Sequence, residues 1–300
     1  MTIKLYVVPG SNPSTSARLA LEHKGLDYER VDLIPTIHMA FLRLAGFPSR
    51  TVPALKIDGR RIQGSLEVVR ALEDLCPDPA LFPADPAQRR RAEEAERWGE
   101  AIFQPVPRRL AWWAIRRDRE ALRTFAEGAR LHVPIGLAIR AAGPIVRWEI
   151  HTHNATEQQV RSDLDALPEM LAKIDAWIDA GVIGNHTPSA ADLQIAPSVR
   201  LLMCVDQLRP LIVGRPCGEL AERVVARFPG RIGAVFPPAW LPSAKAENAR
   251  ASKAEGRADR DQQRHRRSWT HKARQGSDRI EPGERRDHKN GVFGVRRLLP

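Results

Sequence analysis

Residues 50–65, Arg-Thr-Val-Pro-Ala-Leu-Lys-Ile-Asp-Gly-Arg-Arg-Ile-Gln-Gly-Ser, leave little freedom in how this chain folds. Asp58-Gly59 stands between two short runs of strand formers, Ala54 to Ile57 and Arg61 to Gln63. Tight primed turns need positive φ, and Asp-Gly supplies it at low cost, so the spacing predicts a β-hairpin. Pro53 opens the first strand, where a missing N–H costs little, and the Val-Pro bond leaves a cis peptide open. After Ser65, Leu66, Val69, Leu72 and Leu75 recur at helical spacing, so the Ser65 hydroxyl is expected to cap a helix. A hairpin that runs into a helix start presents free N–H groups and a positive dipole end, which suits a carboxylate.

The segment before it reads as strand, helix, strand. Lys4 to Val8 is a strand broken by Pro9-Gly10, and a helix follows through about Lys24, ended by Gly25. Pro13 suits the first helical position, with Ser11 or Asn12 as cap. Tyr28 to Leu33 is the second strand, and a variable connector leads to the hairpin. Such an order implies a small sheet covered by helices. A hydroxyl at the strand-to-helix junction sits in a field that favours an anion. On residues alone, Ser11 and Ser14 are both satisfied as helix caps.

Thr51-Val52-Pro53-Ala54-Leu55 followed by Gln63-Gly64-Ser65 resembles the glutathione-binding half of the glutathione S-transferase family. Ser11-Asn12-Pro13-Ser14 resembles the Ser-x-Pro-x segment of its serine-type, theta-like members. The resemblance implies a thioredoxin-like α/β domain over residues 1–80 and an all-α domain over 87–230. It also implies that Ser11 stabilises a glutathione thiolate, with Ser14 as a second serine. Val52 would pair its backbone with the cysteinyl part, Pro53 would be cis, and Ser65 would hold the γ-glutamyl carboxylate. Gln63 and Arg50 are further candidates for tripeptide contacts. Where the family has an acidic or amide residue directly before that serine, this chain has Gly64. The family's electrophile lies between the domains, and the candidates for its wall are Trp98, Phe103, Arg108 and Trp112. The residues alone also leave these four as core.

Pro77, Pro79, Pro83 and Pro86 mark a linker, after which the pattern turns helical. Ala95, Trp98, Ile102, Val106 and Leu110 suggest one stripe of a long helix that Pro105 and Pro107 break or kink. Further helices are expected around 119–131, 134–148 and 156–180. Ser189-x-x-Asp192 is a capping-box pattern, read as structural. His151 and His153 form an H-x-H without a third ligand, so a polar loop is expected and no metal.

Composition matters mainly for the C-terminal part. Residues 244–300 hold 16 Lys/Arg against 8 Asp/Glu, a surplus of 8 in a chain whose net charge is +11. Between Ala244 and Asn290 the only large apolar residues are Trp269 and Ile280, so disorder is expected there, after a wrapping segment at 231–243. A solvated appendage or a shifted-frame extension ranks above nucleic-acid binding by this basic tail. Cys76, Cys204 and Cys217 are few and far apart, so no disulfide framework or zinc knuckle is expected. Together with the lack of a signal-like apolar run or a membrane-length one, this fits the cytoplasm. The expected function is thiol activation, with glutathione as co-substrate, for attack on a small hydrophobic electrophile. A detoxifying role and a homodimer follow from the resemblance. A non-catalytic thiol-binding or protein-interaction module of the same fold is the alternative.

Overall fold

A computed structural model describes residues 1–131 and 133–242. The basic tail expected to be disordered lies outside the described residues.

The hairpin forms as its turn chemistry dictates. β3 (Ala54–Ile57) and β4 (Arg60–Gln63) are joined through Asp58 at φ 44° and Gly59 at φ 92°, a turn with both central residues left-handed. The Asp58 carboxylate also accepts the Thr2 N–H at 2.8 Å, which ties the turn to the chain start. β1 (Ile3–Val7) pairs antiparallel with β3, Leu5 opposite Leu55, and parallel with β2 (Glu29–Asp32), Leu5 opposite Arg30. The sheet order is β2-β1-β3-β4. Between β1 and β2 runs α1 (Asn12–His23), with Ala17, Ala20 and Leu21 buried on the sheet beside α3 (Ser65–Leu75). This is a thioredoxin-like α/β domain.

The connector between β2 and β3 contains a helix, α2 (Ile37–Leu44). Its only buried side chain is Leu42, while Ile37, Phe41 and Leu44 are exposed. The start of α3 also differs from expectation. Gly64, at φ 98°, takes the cap position with no side chain to offer, and Ser65 is the first helical residue.

The remainder is helical: α4 (Pro86–Trp98), α5 (Pro105–Ile115), α6 (Ala121–Phe125), α7 (Ile135–Ala141), α8 (Gly143–Thr152), α9 (Glu157–Asp179), α10 (Ala190–Met203) and α11 (Pro216–Val224). The expected long helix is interrupted where the prolines require it. Residues Gly99–Phe103 widen into a π-turn, Gln104 N–H reaching Gly99 C=O at 2.8 Å, and α5 restarts with Pro105 at its first position. Gly99 lets this bend approach α10, because a Cβ there would meet Ile195 at 2.9 Å. The helix expected over 134–148 divides at Ala142, since α8 begins with Gly143-Pro144. The one expected around 119–131 shrinks to α6. In α9, Val160, Leu164, Leu167, Leu171 and Ile174 form a fully buried stripe. The capping box at α10 is present: Ser189 Oγ accepts the Asp192 N–H, and Asp192 accepts the Ser189 N–H at 2.8 Å. Residues 231–242 lie along this helical half, with Phe236 stacked on Trp113 at 4.9 Å between ring centroids.

Two side-chain contacts are prominent among those that hold the sheet domain against the helices. Asn12, 2% exposed, donates to Ser198 Oγ at 2.9 Å and to Gln104 C=O at 3.2 Å. Arg70 on α3 makes a two-pronged pair with Glu96 on α4 at 2.7 and 2.6 Å.

Candidate functional site

Where the two halves face each other lies a cavity of about 320 Å³. The sheet domain contributes Val8 to Ser11, Pro13, Pro35, His38, Thr51 to Pro53, Gly64 and Ser65. The helices contribute Glu100, Gln104, Arg108, Ala111, Trp112, Ile115, Leu122, Phe125, Glu149, His153 and Leu201.

Ser11 is the cap of α1. Its extended backbone (φ −73°, ψ 120°) turns the hydroxyl toward the helix start, where it accepts the Ser14 N–H at 3.3 Å. A hydroxyl that accepts still holds its own proton to donate. Gly10, at φ 75°, brings the chain to this point, and a Cβ there would collide with the Phe125 ring. The cap role and a thiol contact are therefore compatible. Ser14 is buried, with no partner for its Oγ, and it borders a different groove beside Arg18, Tyr28 and Arg200. The two serines do not share a site.

The Val52–Pro53 peptide is cis, and both residues line the cavity. Pro53 C=O accepts the Gly64 N–H at 3.1 Å, which closes the loop onto the start of α3. Among the described residues no hydrogen bond engages the Val52 N–H or C=O, so an edge is left for an extended ligand. Ser65 is 2% exposed and its Oγ has no partner. An unsatisfied hydroxyl at a helix start, on a cavity wall, suits a carboxylate. A Cβ on residue 64 would collide with the Glu67 carboxylate. That acid occupies the space a side chain at 64 would take.

Gln63 and Arg50 do not line the cavity. Gln63 shapes the loop that carries Val52, accepting the Ser49 N–H at 2.6 Å and donating to Ser49 and Thr51 carbonyls at 3.1 and 3.0 Å. Arg50 borders a shallow hollow with Arg43 and Trp148. Of the four wall candidates, Arg108 and Trp112 face the cavity. Trp98 and Phe103 do not: they stack on each other at 5.5 Å in the helical core, where Trp177 closes the cluster, and Phe103 is fully buried. The π-turn rotates this stretch so that Phe103 points inward.

Four residues read as unremarkable, or not read at all, join the wall: His38, Glu100, Glu149 and His153. His151 lies within α8, whereas His153 follows it as the cap residue, in the turn; its Nε2 lies 3.1 Å from Glu149 on the preceding turn. Glu149 also accepts Thr36 Oγ1 at 3.0 Å, which joins α8 to the start of α2. Burial pushes the Glu149 carboxyl up, but the hydrogen bond and charge of His153, with Thr36, outweigh it and hold it below its ordinary value. Burial pushes the His38 imidazole down, and its Nδ1 has no partner. Arg108 is pushed down to about 10 by burial, and its guanidinium donates to Gln104 Oε1 at 2.6 Å. Glu100 is pushed up by burial and the nearby Glu67 charge. Apart from Arg108, already a wall candidate, only the i, i+4 spacing of Glu149 and His153 marked any of this in the sequence. Among the described residues no group of side chains is arranged to hold a metal ion, and no helix is long and apolar enough to cross a membrane.

Comparison with known proteins gives four findings. A family model described as "Glutathione S-transferase, N-terminal domain" matches residues 5–80. Protein LigF of Sphingobium sp. is 32% identical over 198 residues, which cover 60% of this chain and 74% of that protein. Mouse maleylacetoacetate isomerase is 42% identical over 89 residues, 28% of this chain, and the match spans only 41% of that relative's length. Among solved structures, glutathione transferase F7 from Populus trichocarpa superposes with a TM-score of 0.51 at 16% identity, covering 75% of this chain and 94% of that one. At that identity it supports the fold alone.

Proposed function

Because this chain belongs to the glutathione S-transferase family, we propose that the cavity binds glutathione and that Ser11 holds its sulfur as a thiolate for attack on a small electrophile. The observation that carries this reading is the meeting, on one cavity, of the Ser11 hydroxyl, the open Val52 edge and the unpartnered Ser65 hydroxyl. The peptide backbone would lie along Val52 beside cis-Pro53. Its γ-glutamyl carboxylate would reach Ser65 and the N–H groups that start α3. Glu67 would face the γ-glutamyl amine that the missing side chain at Gly64 leaves without a partner.

Ser11 does not attack. It donates a hydrogen bond to sulfur at the positive end of α1, and each unit by which the thiol pKa falls corresponds to about 1.4 kcal/mol. The electrophile would rest on the apolar wall of Ala111, Trp112, Ile115, Leu122 and Phe125, with Arg108 beside it. Family habit adds a homodimer and a cytoplasmic, detoxifying role to the proposal. The family model's description favours a glutathione-dependent reaction, and the names of the relatives, maleylacetoacetate isomerase among them, do not fix the acceptor.

Turnover of chlorodinitrobenzene with glutathione tests the reading. Ser11→Ala is expected to lower kcat/KM at neutral pH by about 10–100-fold, the worth of one to two pKa units. An unchanged rate removes Ser11 from the chemistry. Gly64 favours a second reading, a module that binds the thiol without turning it over. Calorimetric binding of glutathione by an enzyme inactive toward every electrophile tried would select it.

A further inference from the structure

A second groove, of about 990 Å³, borders α1 and shares only Val8, Pro9 and Gly10 with the cavity that carries Ser11. Ser14 lines it, 3% exposed, and its Oγ has no hydrogen-bond partner. The cap of α1 is already supplied by Ser11, so that hydroxyl has no task within its own helix. Buried hydroxyls are rarely left so. Arg200 on α10 lines the same groove with a second orphan: its Nε–H is buried and unpartnered, and its Nη1 comes no nearer to Glu222 or Met203 Sδ than 3.9 Å. Both stand two residues beyond the Asn12–Ser198 hydrogen bond that fixes α1 on α10. The other charges of the groove are mostly engaged. Glu22 holds Arg18 at 2.7 Å, and Asp32 holds Arg30 at 2.6 Å. Among the described residues, exposed Arg227, beyond α11, has no acidic partner, and exposed Glu127 has no basic one. Half-buried Leu19, Val224 and Phe228 give the groove an apolar side. A hydroxyl and a guanidinium N–H left idle, with a free guanidinium nearby, complement an oxyanion. One fork satisfies a planar carboxylate, whereas donors arriving separately from α1, α10 and the segment after α11 suit a tetrahedral group.

We propose that this groove is a second ligand site, separate from the thiol cavity, and that it takes the phosphoryl group of a small phosphate monoester. Ser14 Oγ–H and Arg200 Nε–H bind two of the phosphoryl oxygens, and Arg227 meets the third. The organic part of the ester rests on Leu19, Val224 and Phe228. No bond is made or broken there, and the site stands whether or not Ser11 activates a thiol.

Calorimetric titration of the full chain with phenyl phosphate tests the proposal. Ser14→Ala and Arg227→Gln should each weaken binding about tenfold, the worth of one charge-assisted hydrogen bond. Arg227 is exposed, so Arg227→Gln should leave Tm unchanged, and a loss of binding in that variant cannot come from misfolding. Saturating glutathione should leave the affinity for phenyl phosphate as it was. Benzoate, which offers the same ring with a planar carboxylate, should bind at least about tenfold more weakly. Equal binding by wild type and either variant overturns the proposal, and so does displacement by glutathione. Benzoate binding as tightly as phenyl phosphate overturns the phosphoryl assignment. Absence of binding at millimolar phenyl phosphate overturns the site itself, and each of these results leaves the transferase reading standing.

Discussion

At the scale of single residues, the site depends on hydroxyls that the fold leaves free. Ser65→Ala removes an unpartnered buried hydroxyl from the seat proposed for the carboxylate, so it should weaken glutathione binding by about tenfold, roughly one charge-assisted hydrogen bond. Titration calorimetry reads this, and thermal stability should hardly move, because no protein hydrogen bond is lost. Glu149 gives a pH signature. Its folded pKa is held below the ordinary 4.5, so the stability it contributes is present above that value and is lost as pH falls through the lower, folded one. Melting curves of wild type and Glu149→Gln should therefore differ at neutral pH and converge in acid. A constant gap across that range would contradict the assignment.

At the scale of elements, local chemistry decided what could be read in advance. The Asp58-Gly59 turn, the capping box at Ser189 and Asp192, and the α9 stripe each follow from residues close together in sequence. Ser189→Ala should cost about 0.5–2 kcal/mol and lower Tm without raising KM for glutathione. Elements stabilised by distant partners were illegible. α2 escaped notice because its apolar residues face outward and only Leu42 is buried. Wall membership was half legible for the same reason. Arg108 and Trp112 lie after the π-turn and face the cavity, whereas Trp98 and Phe103, before or within it, turn into the core. The place of His153 depended on where α8 would end and what would pack opposite it, which no local pattern encodes.

At the scale of the whole molecule, the sheet domain meets the helices through apolar packing, with Ala190 and Leu193 of α10 in the core beneath the sheet, and through a few buried polar contacts. Among the polar ones, Asn12 reaches both Ser198 and the Gln104 carbonyl just beyond the π-turn. Asn12→Ala leaves those groups buried and unpaired, which should cost about 1–3 kcal/mol and be visible as a lower midpoint in urea. Family membership and the thioredoxin-like half were legible from residues 50–65 and the Ser-x-Pro segment, while the assembly of the cleft was not. The most direct test of the central claim is the ultraviolet titration of the glutathione thiol when bound. With wild type, the thiolate should appear well below the pKa of about 8.5 of an ordinary cysteine thiol, and Ser11→Ala should move it back toward that value. A bound thiol that titrates like the free one, or a depressed pKa that survives Ser11→Ala, would contradict the account.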